Sequence, residues 1–255
     1  MFPLKDENPT EITPFVTVAI IVANVLVWLW VQSAGSGTGF VESLCLYGAI
    51  PGEITGAIPA GSLIPLGTTH ACRVGSGLGS GSLVSSMFLH GSWMHLIGNM
   101  WFLWVFGNNI EDSMGHARFV VFYLLTGLLA AGAHILVSFS SGVPTVGASG
   151  AISGIMGAYI VLYPRVRVLT LVVFLYFIRV VALPALALLG LWFAFQLVQG
   201  TLVGSSQAGI AFGAHVGGFV AGAALIKLFE RRKLVAAKRA KRRLSRDELP
   251  PWERW

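Results

Sequence analysis

Charge is scarce in this sequence. Of 255 residues, 17 are Lys or Arg and 11 are Asp or Glu, against a hydrophobic share of 55% and a mean hydropathy of +0.75. Soluble domains carry about a quarter of their residues as charges, so a soluble globular fold is excluded and an integral membrane protein is expected. No carboxylate lies inside an apolar run and no internal repeat is visible, which leaves a small transporter or channel poorly supported. Cysteine is limited to Cys45 and Cys72, and no Cys/His spacing of a metal-binding kind occurs, so no metal or other cofactor is expected. A disulfide and two free thiols both remain open for that pair.

What is abundant is the long apolar run. Segments near the membrane-crossing length lie at about 13 to 33, 87 to 108, 118 to 139, 147 to 163, 182 to 199 and 208 to 228. The sequence thus predicts an all-α, six-helix membrane domain over 13–228, with a short cytosolic N-terminus over 1–12 and a tail over 229–255. The run from 168 to 199 would extend to roughly 48 Å as one helix, too long for a hydrocarbon core of about 30 Å. Arg179 and Pro184 break it, leaving 168–178 as a short interfacial or re-entrant piece before the true fifth span.

Net charge is +6, but the basic residues gather in the tail directly after the sixth span. Such a cluster marks the cytosolic side and attracts anionic lipid, so a lipid surface is expected as partner and nucleic acid is not. Six spans put both termini in the cytosol, and only Arg73 of the basic residues then lies outside. The first run follows "DENPTE" and ends without a small-residue cleavage site, so it reads as a retained helix rather than a signal peptide. The loop from 34 to 86, rich in Gly, Ser and Pro, is the one large extracytoplasmic element.

Polar groups inside spans face the bundle interior and serve packing or function. "FLHGSWMHLIGNMWF" carries His90, His95 and Asn99, the fourth span opens at Ser149, and "AHVGGFVAG" carries His215. Counting helix rise from the cytosolic ends puts Ser149 about 8 Å, His95 about 10 Å, His215 about 12 Å and Asn99 about 16 Å below the outer boundary. His95 and Asn99 share a helix face. His215, Gly218 and Gly222 form a stripe that lets a neighbouring backbone come close, and Gly150, Gly154 and Gly157 do the same on the fourth span. Close contact of those two helices brings Ser149 to His215.

A serine is a weak nucleophile until a base takes its proton, and acyl transfer also needs donors aimed at the developing oxyanion. The unpaired N–H groups at a helix start, with His95 and Asn99, meet that need. With nothing acidic in the layer, a Ser/His dyad is expected rather than a triad. Taken one at a time these features are bland. Gly154, Gly157 and Gly222 need be no more than packing, a lone intramembrane His is often structural, and Ser153 is expected to bond its own backbone. Jointly, the set meets the requirements of one reaction at one depth. Glu111 and Asp112 are expected to be solvated or bound to neighbouring backbone, and His70, His116 and His134 are assigned nothing.

At these residues the sequence resembles the rhomboid family of intramembrane serine proteases. "HGSWMHLIGN", "GASG" and "AHVGGFVAG" match in order across the six-span layout. The resemblance implies Ser149 as nucleophile, His215 as general base and then acid, and an oxyanion site from His95, Asn99 and the Ser149 N–H. It implies structural support from Gly147, Gly150, Gly218 and Gly222, and from His90, whose hydrogen bonds would hold the outer loop. It implies hydrolysis of transmembrane helices of other proteins near their outer ends, without cofactor or metal. Substrate would enter beside helices two and five, under a cap formed by "GTLVGSSQAG", with Trp192 and Phe195 as candidate gating aromatics. One departure stands out: the family has an aromatic against the catalytic imidazole four residues after the nucleophile, and here that position is Ser153. A non-catalytic rhomboid-like protein that binds transmembrane clients is the alternative. The compact form points to a bacterial inner membrane.

Overall fold

The computed structural model describes residues 1–67, 69–174, 177–203 and 211–240. The chain opens with strand β1 (Phe2–Asp6) and enters helix α1 (Phe15–Leu26), which widens into a π-helix over Val27–Val31. The first N–H groups of a helix lack intrahelical acceptors. Here they are satisfied from far along the chain, because the Glu111 carboxylate accepts from Val16 N at 2.9 Å and Thr17 N at 2.8 Å.

The outer loop has a framework of its own: α2 (Gly37–Tyr47), α3 (Pro51–Ile54), a hairpin of β2 (Leu63–Leu66) with β3 (His70–Arg73), and α4 (Ser82–Ser85). Cys45 on α2 and Cys72 on β3 are joined in a disulfide across 27 residues, which resolves the alternative left open by the sequence. A cross-link of that span removes about 3.5 kcal/mol of loop freedom from the unfolded chain in the chain-entropy picture.

The expected second span is observed in three parts, α5 (Trp93–Phe102), a π-helical stretch (Leu103–Gly107) and α6 (Asn108–Met114). Gly115, at φ 81°, ends it in a conformation that a side chain disfavours, and α7 (His116–Val137) follows at once. Helix α8 (Ser149–Leu162) comes next, then β4 (Arg167–Phe174), β5 (Phe177–Pro184), α9 (Ala185–Val203), α10 (Phe212–Phe229) and α11 (Arg232–Arg239).

The molecule is mainly helical, but the all-α expectation fails at two places, the β2–β3 hairpin of the outer loop and a three-stranded sheet. Where a short interfacial or re-entrant piece was expected over 168–178, β4 and β5 form an antiparallel hairpin, and β1 adds to β4 to give the order β1-β4-β5. "RVLTLVVF" and "FIRVVALP" are rich in β-branched residues that pack well on a pleated surface, and this local preference wins over the apolar length. Pro184 does mark the boundary: α9 starts at the next residue.

By length and composition, α7 and α10 are each able to cross a membrane, while Phe15–Val31, Ser149–Leu162 and Ala185–Gly200 are apolar but shorter. Helix α8 is central, with every residue from 150 to 159 buried. It meets α10 backbone to backbone: a Cβ on Gly218 would collide with the carbonyl oxygen of Gly150, and one on Gly222 with that of Gly154. At the end of α8 opposite Ser149, β1 and α11 converge. Asp6 accepts from Asn109 Nδ2 at 2.7 Å and from the Tyr159 hydroxyl, Lys238 pairs with Asp112, and Arg239 Nε donates to Leu162 O at 2.9 Å. Part of the basic tail is therefore docked on the protein; residues 241–255 lie outside the described residues.

Candidate active site

Ser149 is the first residue of α8. Gly147 sets the turn before it, at φ +128°, and its N–H donates to Ser86 O at 2.9 Å. A Cβ on Gly147 would come within 2.8 Å of His95 Cε1 and Nε2, so glycine is required there both for the turn and for the imidazole that lies beside Ser149. Across the α8–α10 contact, His215 Nε2 stands 2.8 Å from Ser149 Oγ. The sequence-predicted pair is thus in hydrogen-bond contact, and Gly150, Gly154, Gly218 and Gly222 are the residues that permit it.

Helix α5 supplies the neighbouring donors. Ser92 Oγ caps it by accepting the His95 N–H at 3.1 Å. His95 Nδ1 accepts the Gly91 N–H at 3.3 Å. A neutral imidazole that accepts at one nitrogen carries its proton on the other, so Nε2–H is the His95 donor, and it borders the Gly147 turn before Ser149. Asn99, one turn further on, is 8% exposed, and its Nδ2 has no acceptor among the described residues. A buried unpaired amide donor is costly, and this one stands one helical turn from His95 beside the Ser149 site. A small cleft opens beside Ser149, with Met87, His134, Thr145, Gly147 and Ala214 in its lining.

His90 is placed differently from expectation. Its ring is fully buried and packs edge-on against His95 at 5.2 Å between centroids. The hydrogen bonds at this position run through its main chain, whose N–H and C=O pair with Gln32 Oε1 at 2.7 Å and Nε2 at 2.8 Å. The His90 imidazole supports His95 by ring contact.

Ser153 donates to Ser149 O at 2.7 Å and is fully buried, as expected of a helix hydroxyl, so it offers His215 no ring. Of the gating candidates, Trp192 lies 6.0 Å from the His215 ring, whereas Phe195 is 55% exposed on the outside of α9. Most of the proposed cap "GTLVGSSQAG" falls on residues 204–210, outside the described residues. Glu111 and Asp112 bind backbone, at α1 and at Glu11 and Ile12.

One contact was missed by sequence reasoning. His215 Nδ1 is 2.8 Å from Gln196 Oε1 on α9. A signal was present in part: Gln196 is one of two amides, with Gln199, in an otherwise apolar helix and lies one turn after Trp192.

Comparison with known proteins follows this geometry. The Rhomboid domain family model matches residues 80–232, more than half of the chain. RHOMBOID-like protein 6, mitochondrial, of Arabidopsis thaliana is 28% identical over 165 residues, 60% of this chain and 53% of the relative. Rhomboid protein 1, mitochondrial, of Saccharomyces cerevisiae is 30% identical over 36% of this chain and 28% of the relative. Presenilin-associated rhomboid-like protein, mitochondrial, of Mus musculus is 32% identical over 33% of this chain and 23% of the relative. The chain thus spans about half of the first relative's length and about a quarter of the others'. All three are mitochondrial by name, so the bacterial inner membrane expected from the sequence has no counterpart among them. The matched span contains the Ser149, His215, His95 and Asn99 cluster, and the chain belongs to the rhomboid family of membrane proteins.

Proposed function

We propose that this rhomboid protein is an intramembrane serine endopeptidase. The observation that carries the reading is the 2.8 Å contact between Ser149 Oγ and His215 Nε2 at the start of a buried helix. His215 Nε2 takes the Ser149 proton as Oγ attacks the scissile carbonyl carbon. The oxyanion is met by the Ser149 N–H, the His95 Nε2–H and the Asn99 amide, the last being the donor otherwise left unpaired. Collapse passes the proton from the imidazolium to the leaving amine and leaves an acyl-enzyme on Ser149. Water, deprotonated by the same imidazole, attacks the ester and frees the enzyme.

The substrate class follows from the medium. A peptide bond inside a helix is shielded by its own hydrogen bonds, and lipid offers the freed groups no partners. A polar pocket below the outer surface satisfies an unwound segment, so the substrates are transmembrane helices of other proteins, cut where small or helix-weakening residues lower the unwinding cost. The six-span topology, with both termini cytosolic, is supported by the meeting of β1 and α11 at the end of α8 remote from Ser149. The Cys45–Cys72 disulfide favours an oxidising compartment outside the loop. The exposed basic residues of the tail engage anionic lipid on the opposite face.

Cleavage of a fluorogenic transmembrane substrate in liposomes tests the reading. Ser149→Ala and His215→Ala should each lower kcat by at least 1,000-fold, on the order of what loss of a dyad member costs. A Ser149→Ala protein that cleaves at the wild-type rate would falsify it, and a wild type that neither cleaves nor reacts with a fluorophosphonate would instead point to binding of transmembrane clients.

A further inference from the structure

Gln196 lies among residues that face outward. Phe195, Leu197 and Val198 are 55%, 44% and 52% exposed, yet Gln196 between them is 8% exposed. Its Oε1 lies 2.8 Å from Nδ1 of His215, whose Nε2 reaches Ser149. Trp192, four residues earlier and therefore on the same face of α9, lies against the same imidazole with ring centroids 6.0 Å apart. Ser153, on α8, is turned to its own backbone.

On the protease reading above, we infer that Gln196 is the positioning residue of the dyad and makes it a Ser149–His215–Gln196 relay, with Trp192 packing the ring in place. The carbonyl oxygen of Gln196 accepts the Nδ1–H of His215. The ring proton is then held on Nδ1, which leaves the Nε2 lone pair free to accept the Ser149 proton. When the imidazolium forms, its Nδ1–H is already paired. A carboxylate would hold the same tautomer, but at the cost of a charge in an apolar layer. An amide gives the orientation without that charge. The role that an aromatic on α8 would have filled has moved to α9, split between a ring at 192 and a hydrogen bond at 196.

The test compares Gln196→Met, which keeps the length and removes the acceptor, with Gln196→Glu, which keeps only acceptors. Both are assayed for cleavage in liposomes and for the rate of fluorophosphonate labelling at Ser149, beside wild type and Ser149→Ala. Gln196→Met should lose about tenfold in kcat with KM unchanged, and its labelling should slow by a similar factor, as expected for loss of one hydrogen bond to a group that becomes charged. Gln196→Glu should recover most of the labelling rate, and the acid limb of its pH–rate profile should move to higher pH. His95 on α5 and His134 on α7, the other titratable groups near His215, are the same in every variant.

Wild-type kcat and labelling in Gln196→Met, with Ser149→Ala inactive, overturn the inference and leave the protease reading intact. Should Gln196→Met fail to fold, an acid limb of Gln196→Glu at the wild-type position overturns it equally. Cleavage that survives Ser149→Ala, in contrast, removes the protease reading and this inference with it.

Discussion

Asp6, on β1, is buried with its Oδ2 accepting from both the Tyr159 hydroxyl and Asn109 Nδ2. Burial pushes its carboxyl up to about 6, against the opposing pull of the Tyr159 hydrogen bond and the Lys238 charge. The folded state therefore binds this proton more tightly than the unfolded chain. The stability it contributes is complete below about pH 3.8 and is lost as pH rises toward 6. At neutral pH the cost of holding the ionised carboxylate is about 3 kcal/mol. Asp6→Asn keeps an oxygen for both donors and carries no charge, so its melting temperature should match wild type near pH 4, exceed it by a margin that grows up to about pH 6, and hold that margin to pH 7.5. A margin that stays flat from about pH 4 to about pH 6 would count against the buried charge.

Between elements, the contact of α8 with α10 decides whether Ser149 and His215 meet. A methyl at Gly218 or Gly222 must push apart two backbones that no rotamer change can relieve. Gly218→Ala should therefore destabilise the protein by about 1–3 kcal/mol and remove most of the activity. Gly190→Ala on α9, where a methyl would meet nothing within 4 Å, should leave stability unchanged or raise it by up to about 1 kcal/mol. Denaturant unfolding beside the liposome assay separates the two, and equal effects at both sites would contradict the packing account. This contact was legible in the sequence, since small residues at helical spacing beside Ser149 and His215 imply a close approach. The hairpin of β4 and β5 was not. In an apolar run punctuated by little more than Thr170 and Arg179, helix and strand differ chiefly in side-chain branching, a weaker signal than length. Gln196 and Gln32 were visible only as amides near apolar runs, and their partners were not legible: each acts on a residue at least 19 positions away, and no local pattern announces such a partner.

Across the whole molecule, β1 and α11 are gathered at one end of α8 and the Ser149 cluster at the other. The protein uses Lys238 and Arg239 of the basic tail for itself, on Asp112 and on the last carbonyls of α8, while Arg232 and Lys233 are exposed. A peptide of residues 231–255 should bind vesicles containing anionic lipid, by about 1 kcal/mol per basic residue near the surface, and release them as salt is raised. Equal binding to neutral and anionic vesicles would rule out a charge-driven contact.

The place of β1 in the sheet has a consequence for how the protein is made. Phe2 pairs with Leu171, and Asp6 with Val168. Strand β1 must thus wait for its partner, since β4 is not synthesised until the whole outer loop and helices α5 to α8 have been made. Until then β1 is an unpaired edge, open to mispairing. The slow step in assembly is expected to be this late closure of the N-terminus onto the hairpin, long after the outer loop has formed.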